Sequence, residues 1–132
     1  MDDSIEGISF LGGEPIYQIK ALLAIVSYVK DNHKKSCILF SGFTMEEISK
    51  LEEWDYLKPH LDLGIFGRFD ENKKTSIGFP SSSNQEVLIL NEKYKNISIQ
   101  DRNTILLYDF KNKSVLQTGY PVVNKIFNYK EV

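Results

Sequence analysis

The sequence has one cysteine, two histidines and four prolines among its 132 residues, and its charges nearly balance. Each scarcity removes a class of protein. A single thiol, Cys37, forms no internal disulfide and no thiolate cluster, and with only His33 and His60 beside it this chain completes no thiol-based metal site unaided. Basic and acidic side chains number 16 and 18, for a net charge of −2. No one-signed basic face is therefore available to neutralise a phosphate backbone, which excludes nucleic acid as a general partner. The longest apolar stretch, Ala21 to Val29, is interrupted by Ser27 and Tyr28 and falls far short of the roughly 20 residues that a membrane span requires. The start, Met1-Asp2-Asp3-Ser4, is acidic where a secretory leader is basic and then apolar, so a cytoplasmic location is expected.

What is present suits one globular core. Hydrophobic residues make up 42% and charged residues 26% of the chain, enough to bury the interior of one domain of about 100–200 residues and not of two. Gly7-Ile8-Ser9-Phe10-Leu11 is a short apolar run closed by Gly12-Gly13. After Pro15 the spacing becomes helical, with Ile19, Leu22, Leu23, Val26 and Val29 on one stripe. Pro15 fits a first helical turn, where its missing N–H is no loss, and Lys30, His33, Lys34 and Lys35 complement the dipole of a helix ending near Asn32. Cys37 to Ser41 is a second apolar run, in which Cys37 reads as an inert core thiol. A strand, helix and strand of this length form a right-handed parallel βαβ unit.

Thr44 and Glu47 fit a capping box, opening a helix over Met45 to Glu53. Leu61 to Gly67 is a third candidate strand, and Glu86 to Leu90 a fourth. Arg68 to Ser83 lacks periodicity and reads as a long loop, a kind of segment that often carries function. Thr104 to Phe110 and Ser114 to Thr118 flank Lys111-Asn112-Lys113 as a β-hairpin.

Gly12-Gly13-Glu14-Pro15 falls where a parallel strand ends and a helix starts, the place where α/β proteins collect ligands. It is neither a dinucleotide fingerprint nor a P-loop, having no third glycine and no Lys-Ser/Thr. A carboxylate there repels an anion and accepts hydrogen bonds from an ammonium group, so the ligand chemistry indicated is that of an amino acid. The plainer reading is a tight turn followed by an ordinary first-turn acid.

Gly7 to Pro15 resembles the GGEP segment of radical S-adenosylmethionine enzymes, in which a strand ends in a turn that binds the methionine amino group. Leu39-Phe40-Ser41-Gly42-Phe43-Thr44-Met45-Glu46-Glu47-Ile48 resembles a strand and helix start of the activating enzymes of anaerobic ribonucleotide reductase and pyruvate formate-lyase. Asp62 to Phe69 looks like the next strand of that group. Ser82-Ser83-Asn84-Gln85 looks like its Gly-Ser-Ser-Asn-Gln segment, with Ser82 in place of Gly, and Gln117 to Pro121 is similar to its Thr-Gly-x-Pro close. The resemblance implies an α/β fold, a truncated partial (β/α) barrel with parallel strands of radical S-adenosylmethionine type over residues 1–90, and a C-terminal extension with a β-hairpin over 91–132. It implies S-adenosylmethionine as cofactor, with Gly12, Gly13, Glu14 and Pro15 at its methionine end and Ser41, Asp62 and Asn84 along the same pocket. Ser41 also reads as a strand-end hydroxyl, and Asp62 as a strand-start cap.

The resemblance further implies a [4Fe-4S] cluster that cleaves S-adenosylmethionine reductively, and a glycyl radical enzyme as protein substrate. It places the three cluster cysteines on a loop ahead of the GGEP strand, and Cys37 cannot replace them. The expectation is thus a cofactor-binding portion that is inactive by itself and is completed by a cysteine-bearing segment, with the GGEP strand left at a sheet edge. Two alternatives stand beside it. One is a non-catalytic binding module that uses aromatics such as Trp54, Tyr56 and Phe69; the other is an unrelated α/β enzyme with Glu14, Asp62 or Glu47 as general base.

Overall fold

In the computed structural model the described residues are 2–75 and 80–96, together with the strand backbones at 105–109 and 114–118. The chain divides into two units, Met1–Gln100 and Asp101–Val132. In the first, β1 (Gly7–Phe10) leads through Gly12-Gly13 and a 3₁₀ turn at Pro15–Gln18 into α1 (Ile19–His33). The apolar stripe read from the sequence faces inward, with Leu22, Val26 and Val29 buried and Ile19 and Leu23 packed against the core. The helix stops at Lys34, whose φ of 52° is left-handed and whose N–H closes on the carbonyl of Lys30.

Strand β2 (Ser36–Ser41) follows and pairs in parallel with β1, Gly7 opposite Ser36 and Phe10 opposite Leu39. Its alternation buries Cys37, Leu39 and Ser41 on one face. Strand β3 (Leu63–Phe66) adds in parallel on the other side of β2, from Ile38 opposite Leu63 to Ser41 opposite Phe66.

Between β2 and β3 the helix expected over Met45 to Glu53 stops early, as α2 (Met45–Ile48), and a second short helix, α3 (Trp54–Leu57), begins beyond it. The reason is packing. In one continuous helix Ile48 and Trp54, six residues apart, would point about 120° from each other, whereas both are buried here. The break at Ser49 to Glu53 lets Ile48, Trp54 and Leu57 all enter the core.

Strand β4 (Glu86–Ile89) corrects the expectation of parallel strands throughout: it runs antiparallel to β3, Leu63 opposite Ile89 and Phe66 opposite Glu86. The segment before it holds no crossover helix among its described residues. It folds back on itself through a bridge between Lys74 and Ser82, and Gln85 Nε2 donates to the Gly67 carbonyl at 2.9 Å. The chain therefore re-enters the sheet at the end where β3 left it, which only an antiparallel strand satisfies. The described residues of this unit form an open four-stranded sheet, β1-β2-β3-β4, with no barrel closure and with β1 and β4 at its edges.

In the second unit β5 (Ile105–Asp109) and β6 (Ser114–Thr118) pair antiparallel, Ile105 opposite Thr118 and Asp109 opposite Ser114. The intended turn, Lys111 to Lys113, and the Gly119-Tyr120-Pro121 close lie outside the described residues.

Candidate functional site

Because β1, β2 and β3 run parallel, the segments after Phe10, after Ser41 and after Phe66 emerge at one end of the sheet, and the antiparallel β4 begins there. These four chain ends border an open cleft of about 230 Å³ lined by Gly12, Gly13, Glu14, Ser41, Gly42, Gly67 and Gln85, with Phe40, Ile65 and Phe69 supplying its apolar wall. Pockets that enclose a drug-sized ligand start near about 300 Å³, so this one suits an amino-acid-sized group.

Glu14 organises the site. Its Oε1 accepts from the N–H of Ile16 at 3.0 Å, capping the 3₁₀ turn, and from Ser41 Oγ at 2.7 Å; its Oε2 accepts from the N–H of Gly42 at 2.7 Å. One carboxylate thus ties the end of β1 to the end of β2. A carboxylate offers about four acceptor positions, so one, on Oε2, remains for a ligand. Gly12 and Gly13 precede it with φ of 84° and 55°. The space where their Cβ atoms would stand is open to 4 Å, so glycine is required by the left-handed backbone and not by crowding.

Ser41, 6% exposed, spends its hydroxyl on Glu14 and accepts from the N–H of Phe43 at 3.0 Å. It is a support for Glu14. Arg68 stands between the lining residues Gly67 and Phe69, and its two terminal nitrogens reach Glu47 at 3.1 and 3.2 Å. Glu47 in turn closes the capping box with Thr44. The fork from Arg68 holds the Glu47 carboxyl below its ordinary range, aided by the Thr44 N–H. A Cβ added to Gly42 would lie 3.3 Å from Glu14 Oε2 and 3.8 Å from Arg68 Cγ, so an acid and the stem of a cation flank the same glycine.

Four expected residues, Gly12, Gly13, Glu14 and Ser41, are brought together. Pro15 starts the 3₁₀ turn and lines a neighbouring groove between β1 and α1. Asn84 turns aside, its Nδ2 donating to the Arg68 carbonyl at 2.8 Å; the lining amide is its neighbour Gln85, which the Ser82 to Gln85 segment already contained.

Asp62 requires a correction. It immediately precedes β3 and therefore sits at the opposite end of the sheet from Glu14. There, 1% exposed, it accepts from Lys30 Nζ, from the N–H of Cys37 at 2.7 Å and from Asn91 Nδ2 at 2.6 Å. Burial raises its pKa, but these three donors outweigh burial and leave the carboxyl below the usual aspartate value.

The family model described as "4Fe-4S single cluster domain" matches residues 1–88, and the chain belongs to that family. No curated protein and no solved structure matches it. The residues present do not fit the cluster that gives the family its description. Cys37 is the only cysteine, is fully buried in the core, and burial pushes its thiol up against a smaller pull from Lys30, with a still smaller push from Asp62, whereas iron binds the thiolate. Among the described residues no group of three or more His, Cys, Asp or Glu side chains could hold a metal ion. Nor is any helix among them long and apolar enough to cross a membrane.

Proposed function

We propose that the chain is an S-adenosylmethionine-binding portion of an activating-enzyme-like protein, and that its own part in that function is to hold the α-amino-acid end of the ligand. The observation that carries this reading is the Glu14 carboxylate on the cleft wall, with the stem of Arg68 on the other side of Gly42. Glu14 keeps one acceptor position for an ammonium group after three are used. A guanidinium has five N–H donors, of which Arg68 commits two to Glu47, so three remain for a carboxylate. The left-handed turn at Gly12-Gly13 lets a ligand approach the backbone closely. Radical cleavage, and a glycyl radical enzyme as its target, require cluster ligands that these 132 residues do not supply, so this reading also requires a cysteine-bearing segment as partner. The same misfit favours, as the second reading, a non-catalytic module that binds its ligand and transfers nothing.

Isothermal calorimetry tests the proposal. S-adenosylmethionine is expected to bind the full chain, and Glu14→Gln to weaken it 10- to 100-fold, the equivalent of one hydrogen bond to a charged group at about 1.5–3 kcal/mol. Arg68→Gln is expected to weaken it about tenfold. The decarboxylated analogue is expected to bind wild type and Arg68→Gln alike. Equal affinity for wild type and a folded Glu14→Gln variant, or no binding at all, overturns the reading.

A further inference from the structure

The disagreement between the family's cluster and these residues extends to how the fold is held together. Each end of the sheet is fastened by one carboxylate that collects three donors: at Glu14 from its own turn and the end of β2, at Asp62 from three separate elements. At one end Glu14 takes the N–H groups of Ile16 and Gly42 and the hydroxyl of Ser41. At the other, Asp62 takes Lys30 of α1, the N–H of Cys37 in β2 and the side chain of Asn91 after β4. The Asp62 carbonyl accepts from the N–H groups of Leu90 and Asn91 at 2.9 and 3.1 Å, while its own N–H reaches the Cys37 carbonyl at 2.9 Å. At both ends of the sheet, residues distant in sequence are thus joined by hydrogen bonds. Cys37 takes part through its backbone, and its side chain serves as a small apolar filler between β2 and α1.

We infer that these 132 residues form a cluster-free domain, in which the two carboxylate fasteners make folding and ligand binding independent of iron. Its ligand-binding half rests on the function proposed above; its iron half does not.

The experiment is anaerobic reconstitution of the full chain with ferrous iron and sulfide, followed by desalting. Iron and sulfide content, the visible spectrum, the urea midpoint and the S-adenosylmethionine affinity are read before and after. The expected result is no retained iron, no broad visible absorption and unchanged midpoint and affinity. Cys37 is expected to resist a thiol reagent in the folded protein and to react in urea. Retained iron and sulfide with cluster absorption overturns the inference, as does a midpoint that rises on reconstitution or a Cys37 that reacts freely in the folded state. If S-adenosylmethionine fails to bind while no iron is retained and the midpoint is unchanged, the ligand reading falls and the iron half stands.

Discussion

Asp62 carries a charge into a site with almost no solvent contact and survives there because three donors reach its carboxylate. Its depressed pKa fixes the sign of a pH effect. An aspartate titrates near 3.9 in an unfolded chain and lower in this fold, so its contribution is complete above about pH 4 and is lost as pH falls through the folded-state value. Asp62→Asn is expected to cost about 2–3 kcal/mol at pH 7, less than a fully buried broken pair because the Lys30 side chain is 23% exposed. The variant's urea midpoint is also expected to fall less steeply than wild type below pH 4; parallel acid limbs would refute the assignment. The two carboxylates differed in legibility. Glu14 was readable because the Gly12-Gly13 turn adjoins it in sequence, although its partners Ser41 and Gly42 lie 27 and 28 residues away. Asp62 was not: Lys30 and Asn91 lie 32 and 29 residues away, and only strand register brings them together.

Strand β3 is shaped by a glycine for reasons of space. A Cβ on Gly64 would stand 2.3 Å from Cε2 of Phe66, whose buried ring meets Trp54 edge-on at 5.7 Å. Gly64→Ala is expected to displace that ring from a full core and cost about 1–3 kcal/mol, with a change in Trp54 fluorescence; a neutral effect on both would show that the ring has room to move. Helix α1 offers the opposite opportunity. Lys34 is the only described non-glycine residue with positive φ, so Lys34→Gly is expected to raise the urea midpoint by the equivalent of about 1 kcal/mol. A lowered midpoint would argue against left-handed strain at this cap. Periodicity revealed α1 because its stripe runs through four turns. It could not reveal that the helix expected over Met45 to Glu53 stops at Ile48, since only the shared core demands that Ile48 and Trp54 both turn inward.

At the scale of the whole molecule, the parallel β1-α1-β2 unit was legible from spacing and handedness, while the direction of β4 was decided by Gln85 and Ser82 closing the loop behind Gly67. That closure brings Gln85 to the cleft and leaves β1 at the other margin of the sheet. Gly7–Phe10 carries none of the devices by which a margin strand repels its like: no lysine, no proline, no bulge. Among the described residues no strand pairs with its outer side, so an extended chain, including the same strand of another molecule, is expected to add there. The protein's practical ceiling is then a matter of concentration, with light scattering expected to rise steeply as samples are concentrated while the urea midpoint of dilute samples stays fixed. Ser9, the exposed position of β1, is where one charge would act. Ser9→Lys is expected to raise the attainable concentration without moving the midpoint, and equal scattering from both proteins would place the stickiness elsewhere.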